Sequence, residues 1–467
     1  MAAAVPDRRN AHRDRPHADR LRAALDPQVR SGVDQVVSAA GERPERLTAS
    51  DASNITMDSP DQVNAFLMAG VLASGGPVAP DGSVDLMALR SALAERLTAA
   101  PRLSQRVQRD GRVLVWEPVS PDLTHHVRAV DPVDGLLGLE ALCARLIVTP
   151  LPFDRPLWEL LIVPGVASSR AGIVLRIHHA MADGIAAVRL AQALMDPVVP
   201  VSGGDAHAAD TAATAPERAP ARGPSVRARL RTLASGLERT TTMFRRRVPR
   251  TVLLGRIGPR RGVAFVDTEL AALDAGADTA GATVNDALLA AVAAATTSAL
   301  LARGERAPAT LPVSVPVALG DRGRSGNAVG VMLVALPAHE ADVARRVRRV
   351  AELTRAGKQD ARSRGTFELT RTRLGAWAFI RLARHQRLIV AFVTNVPGPR
   401  HPLALAGGRL ERLWPVSAIQ GNVRLGVAAI SYDGVLRCAV HCDADALDAE
   451  AFARALREEL MRIAALA

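Results

Sequence analysis

Seven residues, His178-His179-Ala180-Met181-Ala182-Asp183-Gly184, hold the spacing in this chain most suggestive of chemistry. An imidazole titrates near neutrality, so a positioned histidine can take a proton from a hydroxyl or amine and return it to a leaving group. That is what acyl transfer from a thioester requires, and no serine nucleophile, lysine or metal need take part. Upstream, Ile173, Leu175 and Ile177 alternate with Val174 and Arg176, the period of a strand with one apolar face. Downstream, Ile185, Val188, Ala191 and Leu194 recur at helical spacing, which predicts a helix beginning close to Asp183. The pair therefore sits where a strand gives way to a helix. Successive strand side chains diverge, so only one of the two imidazoles can face a given cavity. Asp183 is expected to lock the turn if the fold brings it an arginine, and Gly184 to leave room for an acceptor beside the ring.

Two other readings compete. Zinc ligands on a helix usually come four residues apart with a third ligand elsewhere, and the chain has neither an HExxH pattern nor a cysteine partner, so no metal is expected. The histidines could also end a strand by chance. A second pair, His125-His126, is followed by Asp131 but lacks Asp-Gly at the right offset, and reads as ordinary strand or loop.

The elements that must hold the motif are interleaved strands and helices. Residues 1–45 lack sustained periodicity and read as a mobile arm, and the first half spans 46–199. In it, Asn64 to Leu72, Val113 to Trp116 and Glu159 to Val163 read as strands. Leu86 to Leu97, capped by Ser83, and Leu136 to Leu146 read as helices. A Gly/Ala/Pro/Ser-rich stretch opens a linker over 200–250, which carries a basic amphipathic helix at 225–247. The second half, 251–467, restarts near Val263. Thr283 caps a long Ala-rich helix with Asn285 and Asp286 in its first turn. Leu311 to Val317, Val329 to Leu336, Leu388 to Thr394, Val423 to Ser431 and Val435 to His441 read as strands, the last two joined at Tyr432-Asp433-Gly434. Phe452, Leu456, Leu460 and Ile463 mark a final helix. The fold class is α/β in two halves.

Composition narrows the partners. At 467 residues two domains are expected, and no uninterrupted apolar run reaches the length of a membrane span. Cys143, Cys438 and Cys442 form no metal or redox spacing and suit buried thiols in a reducing, cytoplasmic setting. A net charge of +12 favours a phosphate-bearing substrate or an acidic membrane surface, whereas 3% aromatics leaves few stacking platforms, so nucleic acid is not an expected partner.

The HHxxxDG run at His178 to Gly184 has company. Asp154-Arg155-Pro156-Leu157-Trp158-Glu159 precedes it, and Thr283-Val284-Asn285-Asp286, Gly326-Asn327, Asn395-Val396-Pro397-Gly398-Pro399 and Ser431-Tyr432-Asp433-Gly434 follow. From about Leu47 to the C-terminus the chain resembles the bacterial wax ester synthase/diacylglycerol acyltransferase family. The resemblance implies two chloramphenicol acetyltransferase-like halves with an active-site tunnel at their junction, where acyl-CoA meets diacylglycerol or a fatty alcohol. It implies no cofactor beyond the acyl-CoA substrate. The basic helix at 225–247 suits either peripheral docking on an anionic surface, the inner membrane face or lipid bodies, or packing on the protein's own core. By similarity His179 is the general base, His178 holds the loop and Asp183 is mainly structural. Asn285 and Asp286 are implied to support the site near the tunnel, and Pro156, Leu157 and Trp158 to shape an apolar wall. Where the family tends to carry Pro-Val-Ser and then a cation, the chain has Pro312-Val313-Ser314-Val315-Pro316, so that cation is absent or moved to Arg322 or Arg324. Thr394 stands where a serine is common. A condensation-type acyltransferase and a non-enzymatic lipid-binding protein are the alternatives.

Overall fold

The computed structural model describes residues 44–59, 62–111, 113–198, 248–318, 329–364 and 381–467. Most of the N-terminal arm and of the linker, including the basic segment 225–247, and the residues Arg322 and Arg324 lie outside them. In chain order the first half holds β1 (Glu45–Arg46), α1 (Ala49–Thr56), β2 (Ala65–Leu72), α2 (Leu86–Arg96), β3 (Gln105–Asp110), β4 (Val113–Pro118), α3 (Leu123–His126), β5 (Val127–Ala129), α4 (Gly135–Leu146), β6 (Trp158–Ala167), β7 (Arg170–His178), α5 (Gly184–Ala193) and β8 (Asp196–Pro197). The second holds β9 (Arg261–Glu269), α6 (Leu270–Asp278), α7 (Val284–Ala302), β10 (Thr310–Ala318), β11 (Val329–Pro337), α8 (Val343–Arg364), β12 (Ala391–Val396), β13 (Leu403–Leu405), β14 (Gly408–Val416), β15 (Leu425–Tyr432), β16 (Val435–Asp443) and α9 (Ala449–Ala464).

Two mixed sheets organise most of these elements, and β1-β4-β3 form a small antiparallel third. One has seven strands in the order β5-β6-β7-β2-β14-β13-β8, the other six in the order β11-β10-β12-β15-β16-β9. Residues 403–416 thus belong to the second half by sequence and to the first sheet by pairing: β14 runs antiparallel to β2, with Trp414 opposite Ala69. Strand β2 lies between β7 and β14 and both its faces are covered, Phe66, Met68 and Leu72 by one core and Leu67, Ala69 and Val71 by another, so all eight of its residues are buried. Strand β7 is likewise buried on both sides. Arg176, expected on a polar face, is 2% exposed and bonded to Glu159 at 2.7 Å, its cross-strand partner on β6. The buried pair removes the solvent face that the alternation implied.

One face of the first sheet meets the second half. Leu67, Ala69, Val71, Trp414 and Val416 share a core with Val263, Phe265 and Ala439. The Phe265 and Trp414 rings stack at 4.4 Å, and Trp414 Nε1 donates to Asp267 at 2.6 Å. The larger core of the second half packs its sheet against α7, α8 and α9. Helix α7 is long and apolar enough to cross a membrane by length and composition, yet 61% of that stretch is buried inside the protein, as suits a core helix. The three cysteines are free and buried. Helix α2 is capped by Asp85, which accepts from Met87 N and Ala88 N, rather than by Ser83, whose hydroxyl turns to Asp81.

A single phenol anchors the exchanged strands. Tyr432, at the end of β15, is 1% exposed; its hydroxyl accepts from Leu403 N at 2.8 Å and donates to Leu410 O at 2.7 Å. Tyr432→Phe leaves both backbone groups buried without that partner, and is expected to cost about 1–3 kcal/mol. Urea unfolding checks this, and a midpoint equal to that of the unaltered protein would show that the anchor contributes nothing.

Candidate active site

The site begins at the last residue of β7. His178 turns away from the cavity and is satisfied at both ring nitrogens: Ala180 N–H donates to Nδ1 at 3.0 Å, which leaves Nε2 to carry the proton accepted by Asp58 Oδ2 at 3.1 Å. The other oxygen of Asp58 accepts from Asn64 N at 2.6 Å, so one carboxylate ties the mouth of β2 to the end of β7. His179 is held by its backbone, its N–H donating to Asn64 O at 2.9 Å and its carbonyl accepting from Asn54 Nδ2 at 3.2 Å. Asn64, 2% exposed, also donates to Asn54 O and Oδ1. With both sides of the peptide fixed, the imidazole of His179 points opposite to that of His178 and rests edge-on to Phe66, 5.0 Å between ring centres.

That imidazole lines a cavity of about 280 Å³ between the two sheets. The first half supplies Ser50 and Asn54, then Phe66, Leu67 and Met68 of β2, and Ala187 and Val188 of α5. The second half supplies Pro316, Thr394, Val396, Ala428 and Ile430, and residues 415–417 at the end of β14. Burial, and secondarily the neighbouring His178, hold the His179 imidazole down to about 4. The ring is neutral at physiological pH and can accept a proton. Gly184 lines the same cavity, and a Cβ there would come within 3.1 Å of Val396 on β12, so its lack of a side chain admits the facing strand. Asp183 also lines the cavity and caps α5, accepting from Ala186 N at 2.8 Å.

Other residues singled out by sequence fall elsewhere. Pro156, Leu157 and Trp158 are buried but do not line the cavity around His179. Trp158 Nε1 donates to Leu103 O at 2.8 Å and its ring stacks on His126 at 4.6 Å; Leu157 instead lends its carbonyl to His178 N at 3.0 Å. The wall reading is therefore corrected: the run is packing and backbone support behind the histidines. His126 closes the short helix α3, not a strand or loop, and its Nδ1 lies 2.7 Å from Trp158 O. Asn285 and Asp286 also lie away from this cavity among the described residues. Asp286 forms a capping box with Thr283 and accepts from Thr354 of α8 at 2.6 Å, so it opens α7 and joins two helices. Sequence reasoning missed Asp58, Asn54 and Asn64. The available signal was a pair of polar residues just ahead of the apolar β2 run, where buried Asn and Asp need partners. No group of three or more His, Cys, Asp or Glu suited to a metal occurs among the described residues.

Residues 47–288 match the family model described as the wax ester synthase/diacylglycerol acyltransferase catalytic domain, and residues 325–464 match the corresponding C-terminal domain. A probable diacylglycerol O-acyltransferase of Mycobacterium tuberculosis is 31% identical over 453 residues, 90% of this chain and 96% of that protein. A putative diacylglycerol O-acyltransferase of the same species is 27% identical over 475 residues, 92% of this chain and 93% of the relative. Among solved structures, the wax ester synthase/diacylglycerol acyltransferase of Marinobacter aquaeolei superposes with a TM-score of 0.65 at 22% identity, covering 90% of this chain and 98% of that one. The first condensation domain of the CDA synthetase gives 0.57 at 17% identity, covering 91% and 96%. These two likenesses show the shared two-half α/β fold.

A second histidine makes the pH response of this region testable. His441 is 2% exposed, its Nδ1–H donates to Ser417 O at 2.7 Å, and burial holds it down to about 4 from an ordinary 6.5. Between those values the unfolded chain binds a proton that the folded chain refuses, so stability present above pH 6.5 is lost as pH falls toward 4. From pH 7 to 5 this one group removes about 2 kcal/mol. Urea midpoints are expected to fall more steeply over that interval for the unaltered protein than for His441→Gln; parallel slopes would exclude the histidine as the cause.

Proposed function

The chain belongs to the wax ester synthase/diacylglycerol acyltransferase family and is an acyltransferase, and on that footing we propose that His179 is the general base that moves a long-chain acyl group from acyl-CoA to the hydroxyl of diacylglycerol or a long-chain alcohol. His179 takes the hydroxyl proton as the oxygen attacks the thioester carbon, then gives it to the departing CoA thiolate. The observation that carries the reading is a neutral imidazole, fixed by its own backbone, in an apolar cavity whose walls come from both halves. Positioned proton transfer of this kind contributes about 10²- to 10⁴-fold. The apolar lining of Phe66, Leu67, Met68, Val188, Val396 and Ile430 suits alkyl chains and excludes the water that would hydrolyse the thioester. His178 and Asp58 are assigned to holding the turn.

His179→Ala is expected to lower turnover by at least about 10²-fold with circular dichroism unchanged. Thin-layer separation of lipid products from labelled palmitoyl-CoA, offered diacylglycerol and hexadecanol in parallel, reads both activity and acceptor. Near-full activity in His179→Ala would remove the residue from the mechanism, and a donor that works only when bound to a carrier protein would replace the CoA reading. The basic, amphipathic pattern of residues 225–247, outside the described residues, supports a further proposal that the protein docks reversibly on anionic lipid where such substrates collect. Flotation with liposomes is expected to rise with anionic lipid content and fall with salt, and binding indifferent to both would end that reading.

A further inference from the structure

We infer that the long acyl chain leaves the histidine cavity past Pro316 and runs over the open face of β10 and β11, where Val331 and Leu333 hold it, an inference that rests on the acyl-transfer reading above. The cavity is small for the work assigned to it. At about 280 Å³ it falls below the roughly 300–1,000 Å³ of sites that bury most of one drug-sized ligand, yet the reaction brings an acyl chain and a lipid acceptor together. Most of a palmitoyl chain must therefore lie beyond its walls.

The second sheet continues one of those walls. Strand register places Pro316 opposite Val331, Ser314 opposite Leu333 and Pro312 opposite Ala335, and sets Ser314 beside Phe392 of β12. Thr394, two residues on from Phe392, shares that face and lines the cavity with Pro316. The alternate residues Val313, Val315, Met332 and Val334 point the other way, into the core of the second half. At the edge of the sheet the row is uncovered: β11 closes the strand order, Val331 is 44% exposed and Leu333 42%. No charged residue occurs in Val329–Pro337, although edge strands that face only water are ordinarily blunted by charge. An apolar row that begins in the cavity and ends in water suits an alkyl chain, each methylene it buries being worth about fourfold in affinity.

The order of the reacting atoms decides which chain takes this path. The acceptor hydroxyl has to touch His179, on the side of the first sheet, so the carbon it attacks lies one bond farther out, toward Pro316 and Thr394 of the second sheet. The acyl chain departs from that carbon. The acceptor's own chain stays nearer Phe66, Leu67 and Met68.

Val331→Asp and Leu333→Asp put a charge where the chain lies, on side chains exposed enough that folding is spared. With hexadecanol as acceptor, kcat/KM is read for palmitoyl-CoA and for butyryl-CoA, whose short chain is spent inside the cavity. The palmitoyl-to-butyryl ratio is expected to fall about tenfold in either variant, which is what the loss of one or two buried methylenes costs. Loss of active enzyme lowers both donors alike, so the ratio reports the chain path alone. Leu301→Asp, at an exposed apolar position on α7, is the control and is expected to keep the ratio of the unaltered enzyme. A ratio unmoved in both β11 variants, an equal fall in Leu301→Asp, or a loss that follows the length of the alcohol, hexadecanol against butanol, would overturn the inference. Gel filtration in which Leu333→Asp splits a dimer while the ratio stays put would also overturn it, because the face would then belong to a second copy. An unaltered enzyme that transfers neither acyl group sinks the acyl-transfer reading itself, whereas an active one with an unmoved ratio in its variants sinks only the chain path.

Discussion

Neighbouring side chains at the end of a strand cannot face the same way, and the site depends on that constraint. At the end of β7 it assigns the two imidazoles to different work before any chemistry is considered. His178 faces inward and spends both ring nitrogens on Asp58 and on the Ala180 backbone, which makes it a strut. His179 faces the cavity, its peptide held by Asn64 and Asn54. Asp58 makes the arrangement rigid, since the oxygen not used by His178 closes onto the first turn of chain entering β2.

The cavity exists because the halves are not independent. Strand β14 is inserted beside β2, so chain from the second half reaches the floor of the first sheet and ends at residues 415–417 in the cavity wall. Tyr432 holds the same excursion from the other side through Leu403 and Leu410. The close approach of Val396 to Gly184 then sets how near β12 can come to the turn. The interface is also partly dry, with Phe265 stacked on Trp414 behind it. Opening the site by rigid separation of the halves would expose that core and pull β14 from its sheet, so substrate entry at small cost calls for local movement near the cavity instead.

The strands and the motif were legible because each signal is local. The alternation of Ile173 to Ile177 fell inside β7, which begins three residues earlier at Arg170, and the three- and four-residue spacing after Asp183 placed α5 to within a residue. Asp433-Gly434 marked the tight turn between β15 and β16, and both residues take positive φ there. What was not legible is long-range. The partnering of Arg176 with Glu159 across strands turned an apparent polar face into a buried one. The passage of residues 403–416 into the first sheet has no local pattern, because its alternation suits either sheet. Trp158 reads equally as a wall or as core in sequence; only its bond to Leu103 and its stack on His126 decide between them. Asp58 and Asn64 escaped notice for the same reason, since a buried polar residue declares its role only through its partner.

The low proton affinity of His179 shapes any reaction run at this site. Burial that holds the imidazole to about 4 makes it a weak base in the resting enzyme and its imidazolium a strong acid. A lone imidazolium in the cavity is disfavoured by about 3 kcal/mol relative to water. On the acyl-transfer reading, however, the positive ring never forms alone, because the proton arrives as the acceptor oxygen bonds to carbon and negative charge appears on the carbonyl oxygen. The same apolar walls that penalise one charge strengthen the attraction between the two. A cavity of this kind therefore disfavours free alkoxide and free imidazolium alike and favours the route that creates both charges together and removes both when the thiolate leaves. Asp58 and Asp183 each accept a hydrogen bond from the turn or the helix beside it.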